Sequence, residues 1–310
     1  MRIALAQYPI DPIPSFEAFA AKQRDWIAEA ASFGATLAVL PEYLVLELAT
    51  TLPESLRDDT RATLAALAPR HDAYLALFRE LATTHGIDVI AGTFLVATGE
   101  GTYRNRAHLF ARDGAVAVQD KLALTGFEHE VGAIVPGDAL EVFELMNAPR
   151  LGIAVCYDCE FPLPVRAQVE AGARLVVVPS CTDTEAGANR VRIGCEARAL
   201  ENQCYVARAV TVGDAPFNPW LDTNTGDAAI HGPVDRGFAP DGVVARAKAG
   251  ERWLVADLDF DRLELARREG QVTNHHDWPA QLRPTITRAR VTKKGSVTKK
   301  GSEEINVSNE

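Results

Sequence analysis

A layered α/β domain with a mixed sheet is the fold this sequence predicts, on three observations. Short apolar runs alternate with amphipathic helical stretches near both ends of the chain. Between them lie strands joined by antiparallel turns, Asp113-Gly114 being the clearest, and a purely parallel sheet has no place for a hairpin. Each half also repeats the order strand, helix, strand-proline, with Leu40-Pro41 in the first and Val178-Pro179 in the second. That repetition suits two packed sheets flanked by helices.

Residues 2–7 read as a short strand. Ser15 then caps a helix whose apolar face is Phe16, Phe19, Ala20, Trp26, Ile27, Ala30 and Phe33, and Gly34 closes it. Residues 36–40 form an apolar strand stopped by Pro41 and followed by Glu42. Residues 52–84 look mostly helical, with Tyr74, Leu77, Phe78 and Leu81 as the best-defined face and Gly86 beyond it. Strands are expected at 87–93 and 104–111, and the second turns through Asp113-Gly114 into 115–119.

Lys121 comes directly after that hairpin. A loop at 132–138 leads to a strand at 140–145 and then to the apolar run ending on Cys156. This run reads as a buried strand whose last residue is exposed at a sheet edge. A helix at 164–171, an apolar strand at 174–178, a helix at 188–202 and a strand at 204–212 follow. Residues 223–240 are glycine-rich turns around short strands, and 252–257 is the last strand.

From Val291 the texture changes, and Val-Thr-Lys-Lys-Gly-Ser occurs twice in tandem. Residues 1–290 are taken as one domain, and the polar 291–310 segment as a flexible tail outside the fold. The tail holds four lysines and three glutamates, which leaves the body at −11 of the total −10.

With 47% apolar and 24% charged residues, the chain is ordinary globular material able to bury a large core. Net negative charge argues against a nucleic-acid or anionic-membrane partner. No apolar run approaches the ~20 residues of a membrane span. The start, MRIALAQYPI, lacks the basic and apolar regions of a signal peptide, and the five cysteines are odd in number. A cytoplasmic protein with reduced thiols is therefore expected. Cys156 and Cys159 form a C-x-x-C, which raises a redox pair or half a zinc site. No second such pair and no spaced histidines follow, so no metal or other cofactor is expected.

Three groups carry the chemistry. Glu42, Lys121 and Cys156 each come directly after a predicted strand, and in layered α/β folds strand ends gather at the rim where ligands bind. A carboxylate, an ammonium and a thiol are what acyl transfer needs: a base, an oxyanion partner and a nucleophile. Singly each has a plainer reading, as a loop carboxylate, a solvated lysine or a packed thiol. All three following strands weighs against that.

The segments Leu40-Pro41-Glu42-Tyr43, Asp120-Lys121-Leu122, Gly152-Ile-Ala-Val-Cys156-Tyr-Asp158 and Arg198-Ala-Leu-Glu201-Asn202 occur in the order found in the nitrilase superfamily, which the chain resembles over about residues 1–285. The resemblance implies a four-layer αββα sandwich with two mixed sheets, a homo-oligomer of two or more copies, and a metal-free triad. In it Cys156 is the nucleophile, Glu42 the base, and Lys121 the oxyanion partner, helped by a backbone N–H near Tyr157. It also implies a second glutamate, taken as Glu128, with Glu130 as the alternative. Tyr43, Tyr157, Cys181, Thr182 and Asp183 are candidate substrate contacts in rim loops. Asp183 could receive an amino group, and Arg190 or Arg192 a carboxylate. Cys159, Cys195 and Cys204 read as core or spectator thiols.

Tyr157-Asp158 after the nucleophile looks like the amidase or carbamoylase side of the superfamily, since nitrile-hydrolysing members tend to have Trp-Glu. Glu160 departs from the pattern, as many members carry arginine there. The implied activity is hydrolysis of a small non-peptide amide through a thioester, with water as co-substrate and ammonia or an amine released. N-carbamoyl amino-acid or ureide hydrolysis, nitrile hydrolysis and a non-catalytic scaffold are the alternatives.

Overall fold

In the computed structural model, residues 1–99, 101–283, 286 and 289 are described. The chain divides into a compact unit, Met1–His275, and a second unit, His276–Glu310, whose described part includes a short turn of 3₁₀ helix at Trp278–Leu282. The polar 291–310 segment lies outside the described residues.

The compact unit begins with β1 (Arg2–Pro9), α1 (Phe16–Ser32) and β2 (Leu37–Leu40). A 3₁₀ segment, Leu44–Thr51, and the helices α2 (Glu54–Arg57), α3 (Thr60–Leu67) and α4 (His71–His85) follow. The long helical stretch expected from sequence is thus broken. Asp59 caps α3 by accepting from Ala62 N, and Pro69 interrupts the ladder before α4. Then come β3 (Asp88–Gly99), β4 (Thr102–Phe110), β5 (Val116–Asp120), α5 (Gly126–Val131), β6 (Val142–Phe143) and β7 (Leu151–Ile153). The strand expected at 140–145 shrinks to two residues because the Gln119 side chain takes over its pairing, donating to Ala139 O and accepting from Glu141 N. The second half holds α6 (Pro162–Glu170), β8 (Leu175–Ser180), α7 (Glu185–Asn202) and β9 (Tyr205–Asp214). It continues with β10 (Thr223–Asn224), β11 (Ala229–His231), β12 (Val243–Arg246), β13 (Trp253–Asp257) and α8 (Phe260–Glu269), a helix capped by Asp259 that the sequence reading did not include.

Strands run in the order β5-β4-β3-β2-β1-β9-β8-β7-β6, and both ends of this path are antiparallel while the centre is parallel. β1 joins the halves. Its residues Ile3–Leu5 pair with β2, and Gln7–Pro9 pair with β9. Alternation along β1 sorts its side chains: Ala4, Ala6 and Tyr8 pack in one cluster with Phe19, Trp26 and Ile27 of α1 and Tyr74 and Phe78 of α4. Ile3 and Leu5 face the other way, into a cluster with Val176 and Val177 of β8, Val165 of α6 and Val191 of α7. Helix, sheet, sheet and helix therefore stack as an αββα sandwich.

Candidate active site

The loop after β2 is shaped by close backbone contact. Gly92, at φ +69°, lies so near that a Cβ there would stand 2.1 Å from Pro41 O. Tyr43 takes a left-handed conformation (φ 60°), and its N–H donates to Thr93 Oγ1 at 2.7 Å. Together these turn Glu42 inward. Lys121 is fixed by its own backbone, donating to Asn105 O (2.8 Å) and accepting from Gly137 N (2.7 Å). Thr125 caps α5 in a reciprocal box with Glu128, which aims the Glu128 carboxylate back toward the strands.

Cys156 differs from the sequence expectation. β7 stops at Ile153, and the cysteine opens a 3₁₀ turn, Cys156–Glu160, with φ 48° and only 4% exposure. Asp158 sets this turn. Its carboxylate accepts from Val155 N (3.2 Å) before the cysteine, and from Leu122 N (3.1 Å) and Ala123 N (2.7 Å) just after Lys121. One buried side chain thus joins two loops that the sequence keeps far apart.

These loops meet on the floor of a cavity of about 310 Å³ lined by Glu42, Lys121 and Cys156. Lys121 Nζ lies 2.8 Å from Glu42 Oε1 and 2.7 Å from Glu128 Oε2. Asn105 Nδ2 donates to Glu42 Oε1 (2.8 Å) and Glu128 Oε1 (3.2 Å), and Tyr43 OH donates to Glu128 Oε1 (2.6 Å). Cys181 N donates to Glu42 Oε2 at 3.3 Å. The Cys156 thiol meets Ser180 Oγ at 3.2 Å and Cys181 O at 3.5 Å.

Burial pushes the Glu42 carboxyl up, and the Lys121 charge only partly opposes it. For Glu128 burial acts the same way, but the Lys121 charge and the hydrogen bonds from Lys121, Tyr43 and Thr125 outweigh it, so its pKa is lowered. Burial alone would lower the Lys121 ammonium; the two carboxylates reverse this and raise it. The Cys156 thiol is pushed well up, by burial first and then by Glu42. These shifts favour a neutral thiol and a charged ammonium, and raise the proton affinity of the Glu42 carboxyl.

Of the other predicted residues, Tyr43, Tyr157, Cys181, Thr182 and Asp183 all line the cavity. Glu130 is exposed on α5 while Glu128 is fully buried. Arg190 lines the cavity and pairs with Glu160 at 3.6 Å. Arg192, offered above for a carboxylate, instead pairs with Glu196 at 2.8 Å, one helical turn along α7, and is not among the lining residues. Cys159 faces Cys195, sulfur to sulfur at 4.0 Å, and both are free thiols. Asn105, Ser180 and the anchoring role of Asp158 were not read from the sequence. Thr125-x-x-Glu128, a capping-box spacing, was an available signal for choosing between the two glutamates.

The model of the carbon-nitrogen hydrolase family matches residues 2–268. The chain is 34% identical over 278 residues to the probable hydrolase YhcX of Bacillus subtilis, a match covering 89% of this chain and 53% of that one, so it spans about half of that relative's length. It is 28% identical to the deaminated glutathione amidase of Homo sapiens, covering 80% of this chain and 74% of that protein. Among solved structures, it is similar to a mutant of the amidase from Nesterenkonia sp. AN1 showing the result of Michael addition of acrylamide at the active site cysteine. That match has 27% identity and a TM-score of 0.63, with 90% and 99% of the two chains covered. With this match across nearly all of the compact unit, the chain belongs to the carbon-nitrogen hydrolase family.

Proposed function

We propose that this protein hydrolyses the C–N bond of a small amide through a thioester on Cys156, releasing ammonia or an amine. The observation that supports this most is Lys121 Nζ held 2.8 Å from Glu42 on the floor of a cavity that Cys156 also lines. The acrylamide adduct at the active site cysteine of the Nesterenkonia amidase agrees with a thiol as nucleophile.

In this reading the resting thiol is neutral, since burial and Glu42 hold its pKa up. When an amide enters, Glu42 takes the thiol proton as Sγ bonds to the carbonyl carbon. The carbonyl oxygen becomes an oxyanion facing the Lys121 ammonium, with a backbone N–H near Tyr157 as second donor. As the C–N bond breaks, Glu42 gives its proton to the departing nitrogen. Water then enters, loses a proton to Glu42 and adds to the thioester carbon. Collapse expels the Cys156 sulfur, which recovers that proton, and the carboxylic acid leaves. Burial favours Glu42 in this role because it raises the carboxyl's proton affinity. Glu128, Tyr43 and Asn105 keep Lys121 and Glu42 in register.

Intact-protein mass spectrometry with a panel of amides, N-carbamoyl amino acids and nitriles tests this. A thioester adduct on Cys156 is expected, and its mass names the acyl group. Carbon dioxide measured beside ammonia separates a carbamoylase from an amidase. Cys156→Ala should fold normally and form no adduct; undiminished hydrolysis by that variant overturns the proposal.

A further inference from the structure

Building on the hydrolase reading above, we infer that the substrate is a small amide carrying a cationic group, an ammonium or guanidinium, on the side away from the scissile carbonyl. The cavity grades from a buried floor to an exposed mouth, and the charge of the mouth is one-sided. Four ionisable residues line it beyond the floor: Glu160, Asp183, Arg190 and Asp222. Arg190, the one cation among them, is already engaged by Glu160. Asp183 and Asp222 are exposed and have no ion-pair partner among the described residues.

The floor does not restore the balance, because the Lys121 ammonium is already paired with both Glu42 and Glu128. An amide with a carboxylate tail meets a negative field and no free cation. One with an ammonium tail meets two free carboxylates and the aromatic walls of Trp220 and Tyr157, whose ring faces attract cations. Glu160 adds a third carboxylate to the same wall and stands 3.6 Å from Arg190.

The test uses the full chain and three amides of matched length that differ only in the end group: γ-aminobutyramide, valeramide and glutaramate. Ammonia release should give kcat/KM for the cationic amide about tenfold above the neutral one, equivalent to about 1.4 kcal/mol. The anionic amide should fall below the neutral one, and both gaps should shrink as salt rises. In an Asp183→Asn, Asp222→Asn double variant, the cationic-to-neutral ratio should fall toward one; both positions are exposed, so folding is not at stake. Equal rates, a preference for glutaramate, or a ratio unmoved in the double variant overturns the inference. So does turnover of other, uncharged amides with none of γ-aminobutyramide. Absence of both ammonia release and any acyl adduct on Cys156 with every amide would instead remove the hydrolase reading itself.

Discussion

Replacing Asp158 with asparagine tests whether one carboxylate holds Cys156 and Lys121 in position. Its oxygens accept from Ala123 N at 2.7 Å on the Lys121 side and from Val155 N at 3.2 Å on the Cys156 side. Asparagine has a single acceptor oxygen. If that oxygen stays on Ala123, its NH₂ group meets the Val155 N–H, donor against donor. A hydrogen bond to a charged acceptor contributes about 1.5–3 kcal/mol, and the turn loses roughly that much anchoring. The opposing effect is charge burial, which lifts the Asp158 carboxyl from 3.8 to about 6 despite the backbone N–H groups that pull it down. At about 1.4 kcal/mol per pKa unit, the ionised form is about 3 kcal/mol less favourable in the fold than in the unfolded chain. Asparagine escapes that cost, so at neutral pH the two effects offset to within about 2 kcal/mol. The loss then falls on geometry, with kcat down about 100-fold. Because the folded pKa lies above the unfolded one, the linked stability is complete below pH 3.8 and lost as pH rises through about 6. The wild-type protein therefore gains on the variant, by up to about 3 kcal/mol, as pH falls across that window. Amide turnover and thermal melts through the acid range check both parts. Undiminished turnover would refute the anchoring argument, and a melting difference independent of pH would refute the buried-charge argument.

Lys121→Met should remove the ammonium paired with both Glu42 and Glu128 and lower kcat by about 1,000-fold, measured as ammonia release. Its urea midpoint should report a loss of about 3–5 kcal/mol from the stranded carboxylates, and an unchanged midpoint would contradict their pairing. Gly92→Ala places a methyl 2.1 Å from Pro41 O at φ +69°, and should cost about 2–4 kcal/mol while displacing Glu42; an unaltered melt and rate would exclude that contact. The acid limb of kcat/KM against pH should lie above 4.5, the ordinary value for a glutamate, because burial raises Glu42. Activity is lost as pH falls through that raised pKa, so a limb at or below the ordinary value would assign the base elsewhere.

Much of the site was legible because its pieces are short and local. A strand broken by Pro41 puts Glu42 at the strand's end, and the Asp113-Gly114 hairpin puts Lys121 at another. Glu128 and Glu130 are two residues apart, about 200° around a helix, so one faces in and the other out. Thr125 selects which, through the capping box. Asn105 could not be read this way. It sits mid-strand on β4, and its partners Glu42 and Glu128 are 63 and 23 residues away.

The sequence by itself determined the alternation of strands and helices, the two-sheet layering, and which carboxylate and amine follow strand ends. These depend on periodicity and turn chemistry between near neighbours, which the order of residues states directly. Only the tertiary structure decided that Cys156 leaves the strand for a left-handed turn, that Asp158 anchors the Lys121 loop to it, and that Arg190 is taken by Glu160 while Arg192 turns away. Each of those outcomes is a competition for hydrogen bonds or charges between segments distant in the chain, and it is settled by how the two sheets and their helices pack.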